Sequence, residues 1–409
     1  MRKTLLSLAL VAASGSVAAS DYFNGRLTGM SGAGYATGGY ADGVVFNPSL
    51  GAGFGERDDF ALVANLGVLG EDEDELVDGL EDLSDYLTEL EETTAYDVFD
   101  EVGGFDPNNP DQFERDVRAL QQEQADEAIA RLEAVANKTA NVGPGGSLVL
   151  SIPNNWLSLS LVGKVRGEAA VRSVVDENDY QVIRDAVGET NFDPSVLQSY
   201  GVGRGAVVAE GGLAMAKSLK TGEDSKLLLG VTPKLMHVTT FVYTATVDSF
   251  EEDDFDADDY SIDNTDANVD LGATYISGNM RYALTVNNAI SRSYETIEPG
   301  DHIEIKPRAT TALGYKSDWF TAEGAVDLNT SPNFATGQET QYARAGIELN
   351  AWQWVQVRAG YRMDLEDNIG DTYSVGLGLS PFNVVNLDIA AFSGEGNTMG
   401  ASAQLGLRF

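Results

Sequence analysis

The sequence predicts an all-β membrane protein, an antiparallel transmembrane β-barrel of about fourteen strands. Four observations support this fold class. Apolar and polar residues alternate along many long segments, and the connections between these segments are alternately short and long. No stretch of the chain reaches the roughly eighteen consecutive apolar residues that indicate a membrane-spanning helix. The 409 residues are sufficient for one large barrel, and 44 of them are glycine.

The chain begins with a segment typical of a secretory signal peptide. Arg2 and Lys3 precede an apolar run of about ten residues, and small residues follow it. We therefore predict a signal peptide over residues 1–19, cleavage near Ala19, and export to the outer membrane of a Gram-negative cell. Because the chain contains no cysteine, disulfides, thiolate metal sites and thiol redox chemistry are excluded.

The carboxy-terminal segment shows the strand pattern clearly. From Met399 to Phe409 every second residue is mainly apolar, and the residues between them are polar or glycine. This period of two indicates a strand with one apolar and one polar face. A soluble sandwich also alternates, but long strands with a glycine- and serine-rich polar face favour a membrane barrel. The predicted strands are 58–69, 145–152, 156–174, 203–218, 226–248, 266–277, 280–294, 302–316, 319–330, 339–350, 354–365, 371–380, 384–392 and 398–409.

The connections between these strands fall into two alternating sets. The short set lies near residues 153, 220, 278, 317, 352 and 381, and the long or acidic set is 70–144, 175–202, 249–265, 295–301, 331–338, 366–370 and 393–397. Short periplasmic turns and longer outer loops are expected of an outer-membrane barrel. An even strand number places both termini at the periplasmic end. The final Phe409 resembles the carboxy-terminal signal that the barrel-insertion machinery reads.

Residues 20–56 do not follow the strand pattern. They contain a glycine-rich stretch in which Gly-Met-x-Gly-Ala-Gly is followed by an Asp and then by Asn-Pro-Ser. This pattern resembles the opening of the FadL-type long-chain fatty-acid transporter family, where it forms a hatch that fills a fourteen-stranded barrel. The resemblance implies a hatch over 20–56 within a barrel over 57–409. It assigns hatch positions, and a possible ligand path, to Gly29, Met30, Gly32, Gly34, Asp42, Asn47 and Pro48.

A simpler interpretation of these glycines is that they only allow tight backbone packing inside a barrel. The resemblance is closer to the TraF-type proteins associated with conjugal transfer, a FadL-like branch with an acidic helical insertion after the first strand. A thioredoxin-like periplasmic protein shares the TraF name, but a chain without cysteine cannot perform its thiol chemistry.

Residues 71–142 form the predicted insertion, with 23 acidic and four basic residues in a chain whose net charge is −38. Leucines at spacings of four and three run from Leu76 to Leu90, and a second periodic stretch includes Phe113 and Leu132. These patterns predict an acidic antiparallel helical hairpin on the extracellular side. Its apolar stripe either packs on itself and the barrel mouth, which we favour, or binds a protein partner.

Another acidic segment, residues 251–263, contains eight acidic and no basic residues. It lacks the central glycine and the final glutamate of an EF-hand loop, so we predict a solvated loop. Surface binding of calcium or magnesium is the alternative, and we assign no metal site. The strong negative charge also disfavours direct contact with nucleic acid.

No motif indicates an enzyme. The two histidines, His237 and His302, lie in no recognisable triad or zinc spacing, and no Gly-x-Ser-x-Gly motif occurs. We therefore predict no catalytic residues and no cofactor, with His302 beginning a strand at the outer rim. Charges of both signs occupy the polar faces of the last strands, and we predict that they pair with each other and with the hatch, closing the pore. They are Arg344, Glu348, Arg358, Arg362, Asp364, Asp388 and Arg408.

Two functions follow from these predictions. The first is a barrel that binds or passes a small hydrophobic ligand, such as a long-chain fatty acid, past its hatch. The second is a non-transport outer-membrane component of conjugation or envelope assembly, in which the insertion at 71–142 binds a protein partner. Both involve outer-membrane lipid and the barrel-insertion machinery, and fold alone does not distinguish them.

Overall fold

The computed structural model describes residues 23–56, 58–72, 75–185, 193–246, 257–351, 354–381 and 384–409. The predicted signal peptide and the first part of the acidic segment 251–263 lie outside these residues. The strands are β1 (Ala61–Glu71), β2 (Thr139–Ile152), β3 (Ser158–Val174), β4 (Tyr200–Lys220), β5 (Ser225–Thr246), β6 (Ser261–Ser277), β7 (Met280–Asn287), β8 (Arg292–Glu295), β9 (His302–Ile305), β10 (Arg308–Lys316), β11 (Phe320–Asp327), β12 (Ser331–Pro332), β13 (Glu339–Thr340), β14 (Tyr342–Ala351), β15 (Val355–Asp364), β16 (Thr372–Leu379), β17 (Val385–Gly394) and β18 (Met399–Arg408).

Fourteen of these strands form a closed antiparallel barrel, which confirms the predicted fold class. The barrel closes where β1 pairs with β18, with Ala64 opposite Leu405. β8 pairs with β9, and β12 with β13, in two small hairpins separate from the wall. The helices are α1 (Gly25–Thr28), α2 (Leu76–Glu92), α3 (Ala95–Glu101), α4 (Pro110–Val135) and α5 (Glu177–Asp185). None of the helices in the described part of the chain is long and apolar enough to cross a membrane.

The outer surface of the barrel carries the apolar residues of the alternating pattern. Exposed aliphatic side chains on successive strands include Leu66, Leu148, Leu161, Leu213, Leu271, Leu284, Leu313, Ile347, Val357, Val375, Ile389 and Leu405. Trp156, Trp319 and Trp354 lie exposed in short turns at one end. An apolar band bordered by aromatic residues is the surface that a membrane barrel presents to lipid. The Phe409 ring is 60% exposed, and its backbone pairs with Phe60 beside the first strand.

The two ends of the barrel differ. We call the end with the short turns and the carboxy terminus the turn end, and the opposite end the loop end. β4 and β5 have 21 and 22 residues, whereas β7 and β11 have eight each. A tilted strand needs only about 9–11 residues to cross a bilayer. The wall formed by β3–β6 therefore rises beyond the membrane at the loop end.

Two predicted wall strands, 280–294 and 302–316, are wrong as single strands. β7 ends at Asn287 because Asn288 adopts a left-handed backbone conformation with φ 52°, which turns the chain inward. The second segment is divided at Pro307, which lacks the N–H that a continuous ladder requires. His302 consequently begins the small strand β9 and not a wall strand.

The insertion after β1 contains three helices. α2 and α4 pack on each other, and their leucines form one apolar cluster with α5 and the following loop. Buried members include Leu76, Leu87, Leu132, Ile183 and Leu197. The last helix ends at Val135 and the wall resumes at Thr139, so the insertion ends earlier than the predicted limit of 142. The stripe of leucines is therefore largely covered by its own neighbours.

Candidate functional site

The segment from Phe23 to Gly53 lies inside the barrel and packs against glycines of the wall. Met30 is fully buried where its backbone meets β14 and β15. A Cβ atom at Gly360 would lie 2.2 Å from the Met30 carbonyl carbon, and one at Gly346 would lie 2.6 Å from the Met30 Cβ. Gly29 packs in the same way on Gly376 of β16. These wall positions leave no room for a side chain while the hatch is seated.

The other end of the hatch is seated on β5 and β6. A Cβ atom at Gly230 would lie 2.3 Å from the Pro48 carbonyl carbon, and one at Gly272 would lie 2.2 Å from the Asn47 Oδ1. The Asn47 Nδ2 donates to the Thr274 hydroxyl at 2.9 Å. Of the other predicted hatch glycines, Gly34 packs against Leu27, and Gly32, with φ 84°, lies beside Arg344.

Charged side chains of the wall bind the hatch directly. The Arg26 Nε of α1 lies 2.9 Å from the Glu348 carboxylate, which also accepts from Arg358 at 2.7 Å. Arg358 reaches Asp388 at 2.6 Å, so charges of β14, β15 and β17 form one chain with the hatch. At the turn end, Arg408 lies 3.2 Å from the Asp42 carboxylate. Five of the charged residues selected from the sequence thus form ion pairs with the hatch or within this chain: Glu348, Arg358, Asp388, Arg408 and Asp42.

Of the remaining selected charges, Arg344 lies 2.8 Å from Asp327 and also packs beside Gly32 and over the Tyr35 ring of the hatch. The Arg362 guanidinium lies 4.8 Å from the centre of the Tyr342 ring. Asp364 accepts the backbone N–H of Gln341 at 2.8 Å, so it anchors a turn and does not contact the hatch.

A second charged cluster was not predicted. Lys164 and Lys234 each contact both Glu210 and Asp270, at distances between 2.8 and 3.3 Å, and all four side chains are at most 3% exposed. Lys164 also donates to the Val45 carbonyl oxygen of the hatch at 3.2 Å. Two cations and two anions balance each other here, as a buried ionic cluster requires. The sequence did carry a signal for this cluster, because its four charged residues lie on the polar faces of the predicted strands that became β3–β6.

Two loops, residues 288–307 and 328–341, fold into the loop end of the barrel, and we call them the inward loops. Tyr294, Ile303, Ile305 and Phe334 of these loops are buried against apolar residues of β4 and β5. The Glu168 carboxylate of β3 accepts the Phe334 backbone N–H. The second loop leaves the wall at β11 and reaches β3 and β4, so it crosses the lumen.

Arg204 of β4 binds both inward loops at once. Its Nε and Nη2 atoms pair with the Asp301 carboxylate at 3.2 and 3.1 Å, and Nη2 also donates to the His302 carbonyl oxygen. Its Nη1 atom donates to the carbonyl oxygens of Phe334 at 2.6 Å and Ala335 at 3.2 Å. The planar, five-donor guanidinium suits this geometry, whereas an ammonium group does not.

Ionisable groups of the inward loops are stabilised in their charged forms. Burial raises the pKa of Asp301, but hydrogen bonds from Arg204 and Thr296 outweigh it and leave the pKa below its ordinary value. Hydrogen bonds to Glu339 and Glu304 raise the pKa of Lys306. Both shifts favour the closed arrangement of the inward loops at neutral pH.

A cavity of about 100 Å³ lies between the hatch and the inward loops. Its apolar lining comes from the hatch, the inward loops and the wall strands β1 and β17: Phe23, Leu27, Tyr35, Phe46, Ile305, Phe334, Leu69 and Phe392. Four basic side chains, Arg166, Lys306, Arg308 and Arg362, also line it, and the described lining includes no acidic residue. Arg166 stacks on Phe334, with its guanidinium carbon 4.3 Å from the ring centre.

The residues around the cavity differ from those selected from the sequence. Of the selected residues, only Gly32 and Arg362 line it. The aromatic residues within the glycine-rich hatch, which include Phe23, Tyr35 and Phe46, were a signal for it, because large apolar rings in such a segment are available to line a cavity. Phe334 carries no such signal, since only the fold of its loop brings it into the lumen. Among the described residues, no group of three or more His, Asp or Glu side chains is arranged to hold a metal ion.

Comparison with solved structures identifies the same architecture in hydrocarbon channels. A "TodX deltaS2S3 mutant monoaromatic hydrocarbon channel" superimposes with a TM-score of 0.52 at 9% identity, covering 95% of this chain and 100% of that one. The "Pseudomonas putida toluene transporter TodX" gives a TM-score of 0.50 at 7% identity, covering 96% and 98%. At such low identity these matches show the fold alone. Comparison with curated protein sequences gives no significant match.

A family comparison goes further than the structural matches. The sequence model described as "F plasmid transfer operon, TraF, protein" matches residues 44–327. The matched region begins in the hatch, includes the helical insertion and ends with β11, so it covers more than half of the chain. The protein is a fourteen-stranded barrel with the fold of these hydrocarbon channels, and it belongs to this TraF family.

Proposed function

We propose that this protein passes small, mostly apolar molecules across the outer membrane of a Gram-negative cell, with its loop end outward. The observation that carries the proposal is the cavity between the hatch and the inward loops, where eight apolar side chains meet inside the barrel. Enclosed apolar cavities with a few polar groups are the usual form of small-ligand sites. The related channels whose descriptions name toluene and monoaromatic hydrocarbons have the same architecture and support this class of ligand.

The volume of the cavity limits the ligand in the closed state. About 100 Å³ is less than the roughly 150 Å³ of an engineered cavity that binds benzene. A small aromatic molecule therefore fits with slight movement of the lining, whereas a long-chain fatty acid requires the hatch or the inward loops to move. The basic lining favours a ligand with an aromatic face or an anionic end.

The construction of the hatch fits a plug that can be displaced. Its apolar residues pack on small wall side chains, and directional polar contacts such as Arg26–Glu348 and Arg408–Asp42 fix its position. No strand of the wall extends into it. Polar contacts can be exchanged for contacts with water when a plug moves. We infer that a ligand reaches the cavity past the inward loops and leaves it when the hatch shifts.

Uptake of labelled toluene and labelled long-chain fatty acid tests this function in cells with and without the gene. We expect deletion to reduce uptake of at least toluene and re-expression to restore it. Leu69→Trp fills the cavity from β1 and should fail to restore uptake. Leu66→Trp, on the lipid-facing side of the same strand, should restore it. Unchanged uptake of both compounds after deletion would contradict the proposal.

A role in conjugation or envelope assembly is the second candidate. The family description refers to a plasmid transfer operon, which supports that context. The leucine stripe, which was the alternative docking surface for a partner, is largely covered within the insertion, as the favoured prediction had it. A partner must therefore use a different surface.

A further inference from the structure

The far end of the helical insertion presents an aromatic surface that the core of the insertion does not use. We call Tyr96, Phe99, Phe105 and Phe113 the aromatic tip. The first three are 73%, 40% and 51% exposed. The rings of Phe99 and Phe105 lie 5.6 and 5.7 Å from that of Phe113, measured between centres. None of the tip residues belongs to the buried leucine cluster.

The local structure holds these rings in place without burying them. Helix α3 contains no buried residue, although a helix of seven residues is marginal without packing. A capping box between Thr94 and Asp97 closes its first turn. Gly103 and Gly104, with φ of 79° and 81°, then turn the chain back toward α4. The tip is thus an ordered, exposed aromatic patch.

Charge around the tip defines the partner. Residues 94–116 contain seven carboxylates and a single basic residue, Arg115. A membrane-binding surface carries lysine and arginine beside its apolar residues, so this composition disfavours a lipid surface. A second copy of a chain with net charge −38 would be repelled. A basic segment with apolar anchors is complementary to both the rings and their acidic rim.

We propose that the aromatic tip docks a basic segment of another protein, rich in arginine and carrying at least one apolar anchor. Arginine stacks on aromatic faces while its charge meets the surrounding carboxylates. The proposal does not depend on transport through the barrel, because the tip belongs to the insertion and lies outside the lumen.

Binding of a synthetic peptide to the full-length protein in nanodiscs tests the proposal. The probe is a fluorescent peptide of alternating arginine and leucine, and its control replaces every leucine by serine. We expect the leucine peptide to bind at least tenfold more tightly in moderate salt, since acidic charge alone would hold both peptides equally. Equal affinities would overturn the proposal.

Variants identify the surface that binds. Phe105→Ser, in the turn between helices, and the triple change Tyr96→Ser, Phe99→Ser and Phe105→Ser should each weaken binding of the leucine peptide, the triple change by about tenfold or more. Val196→Ser, at an equally exposed apolar residue of the neighbouring loop, is the matched control and should leave binding unchanged. Circular dichroism checks that each variant keeps its helical content. If the triple variant loses helical content, the single variant Phe105→Ser still tests the proposal.

Two further measurements distinguish other occupants. Binding of phosphatidylglycerol vesicles to the nanodisc-embedded protein that is lost in Phe105→Ser would identify a lipid surface and overturn the proposal. A dimer in analytical ultracentrifugation that Phe105→Ser dissociates would identify a second copy, with the same consequence. Tip-dependent peptide binding without either result supports a basic protein partner.

Discussion

The lumen of the barrel and the helical insertion are packed differently. The lumen combines an apolar cluster of hatch and wall residues with buried charges such as Arg358 and Asp388, which are 3% and 0% exposed, and with wall glycines that admit the hatch. Buried contacts in the insertion are made by leucine, isoleucine and alanine. The wall directs its apolar residues outward to lipid, so the interior receives the polar face. The insertion has only itself and its neighbouring loop to pack on and buries its apolar face in the usual way.

This difference has a mechanical consequence. Ion pairs and hydrogen bonds in the lumen are directional, so they determine where the hatch sits and which group each contact requires. Apolar packing in the insertion is non-directional and depends on volume and area. Substitutions should therefore act on hatch position in one region and on local folding in the other.

The largest effect is expected from removing the carboxylate that joins the hatch to the wall. Glu348→Ala leaves Arg26 and Arg358 buried without this partner, and breaking such a buried pair costs about 3–5 kcal/mol. Denaturation of the purified protein in detergent measures the loss. Glu366→Ala, at an exposed acid of the same half of the barrel, should change stability by less than about 0.5 kcal/mol. Equal stabilities for the two variants would mean that the ion pairs do not hold the hatch.

A comparable but local effect is expected in the insertion. Leu87, 2% exposed, lies in the leucine cluster, and Leu87→Ala should cost roughly 2–5 kcal/mol of local stability. We expect trypsin to cleave sooner at Arg115, Arg118 and Arg131 while the barrel resists as before. Val77→Ala, at a 36% exposed position of the same helix, is the control. Loss of barrel stability in Leu87→Ala would show that the two regions unfold together.

A smaller effect is expected where the hatch backbone rests on the wall. Gly360→Ala places a Cβ 2.2 Å from Met30 and should cost about 1–3 kcal/mol by overpacking. Because the hatch can no longer seat fully, single-channel conductance in planar bilayers should rise. Gly211→Ala, where a Cβ meets nothing within 4 Å, should conduct as the unmodified protein does. A conductance for Gly360→Ala that matches Gly211→Ala would contradict this seating.

The smallest effect on stability is expected at Arg204, whose side chain is 21% exposed. Its ion pair with Asp301 contributes at most about 1 kcal/mol, because it is partly solvated. Arg204→Ala and Arg204→Lys should both accelerate hydrogen exchange in residues 292–305 and 331–340, since lysine cannot replace the five-donor fork. If Arg204→Lys preserved protection, charge alone would hold the inward loops.

Much of the architecture was predictable from local pattern. The period-two alternation predicted the number of wall strands, and the lengths of the connections predicted which end carries the loops. The inward turn at Asn288 was missed because the predicted strands ran on through residues 292–294 and 302–305, which instead belong to a hairpin of their own. The lumen charges were recognised in the last strands, but the cluster of Lys164, Glu210, Lys234 and Asp270 was overlooked on the long ones.

The sequence by itself determined the barrel, its strand number, its lipid-facing surface and the presence of an acidic helical insertion. These features depend on the alternation and spacing of residues that are close together in the chain, and both are visible in the sequence itself. Only the tertiary structure decided that Arg204 holds two loops at once, that Arg26 reaches Glu348 across the lumen, and that Phe334 lines the cavity. Those contacts join residues far apart in sequence, and closing the barrel is what brings them within reach.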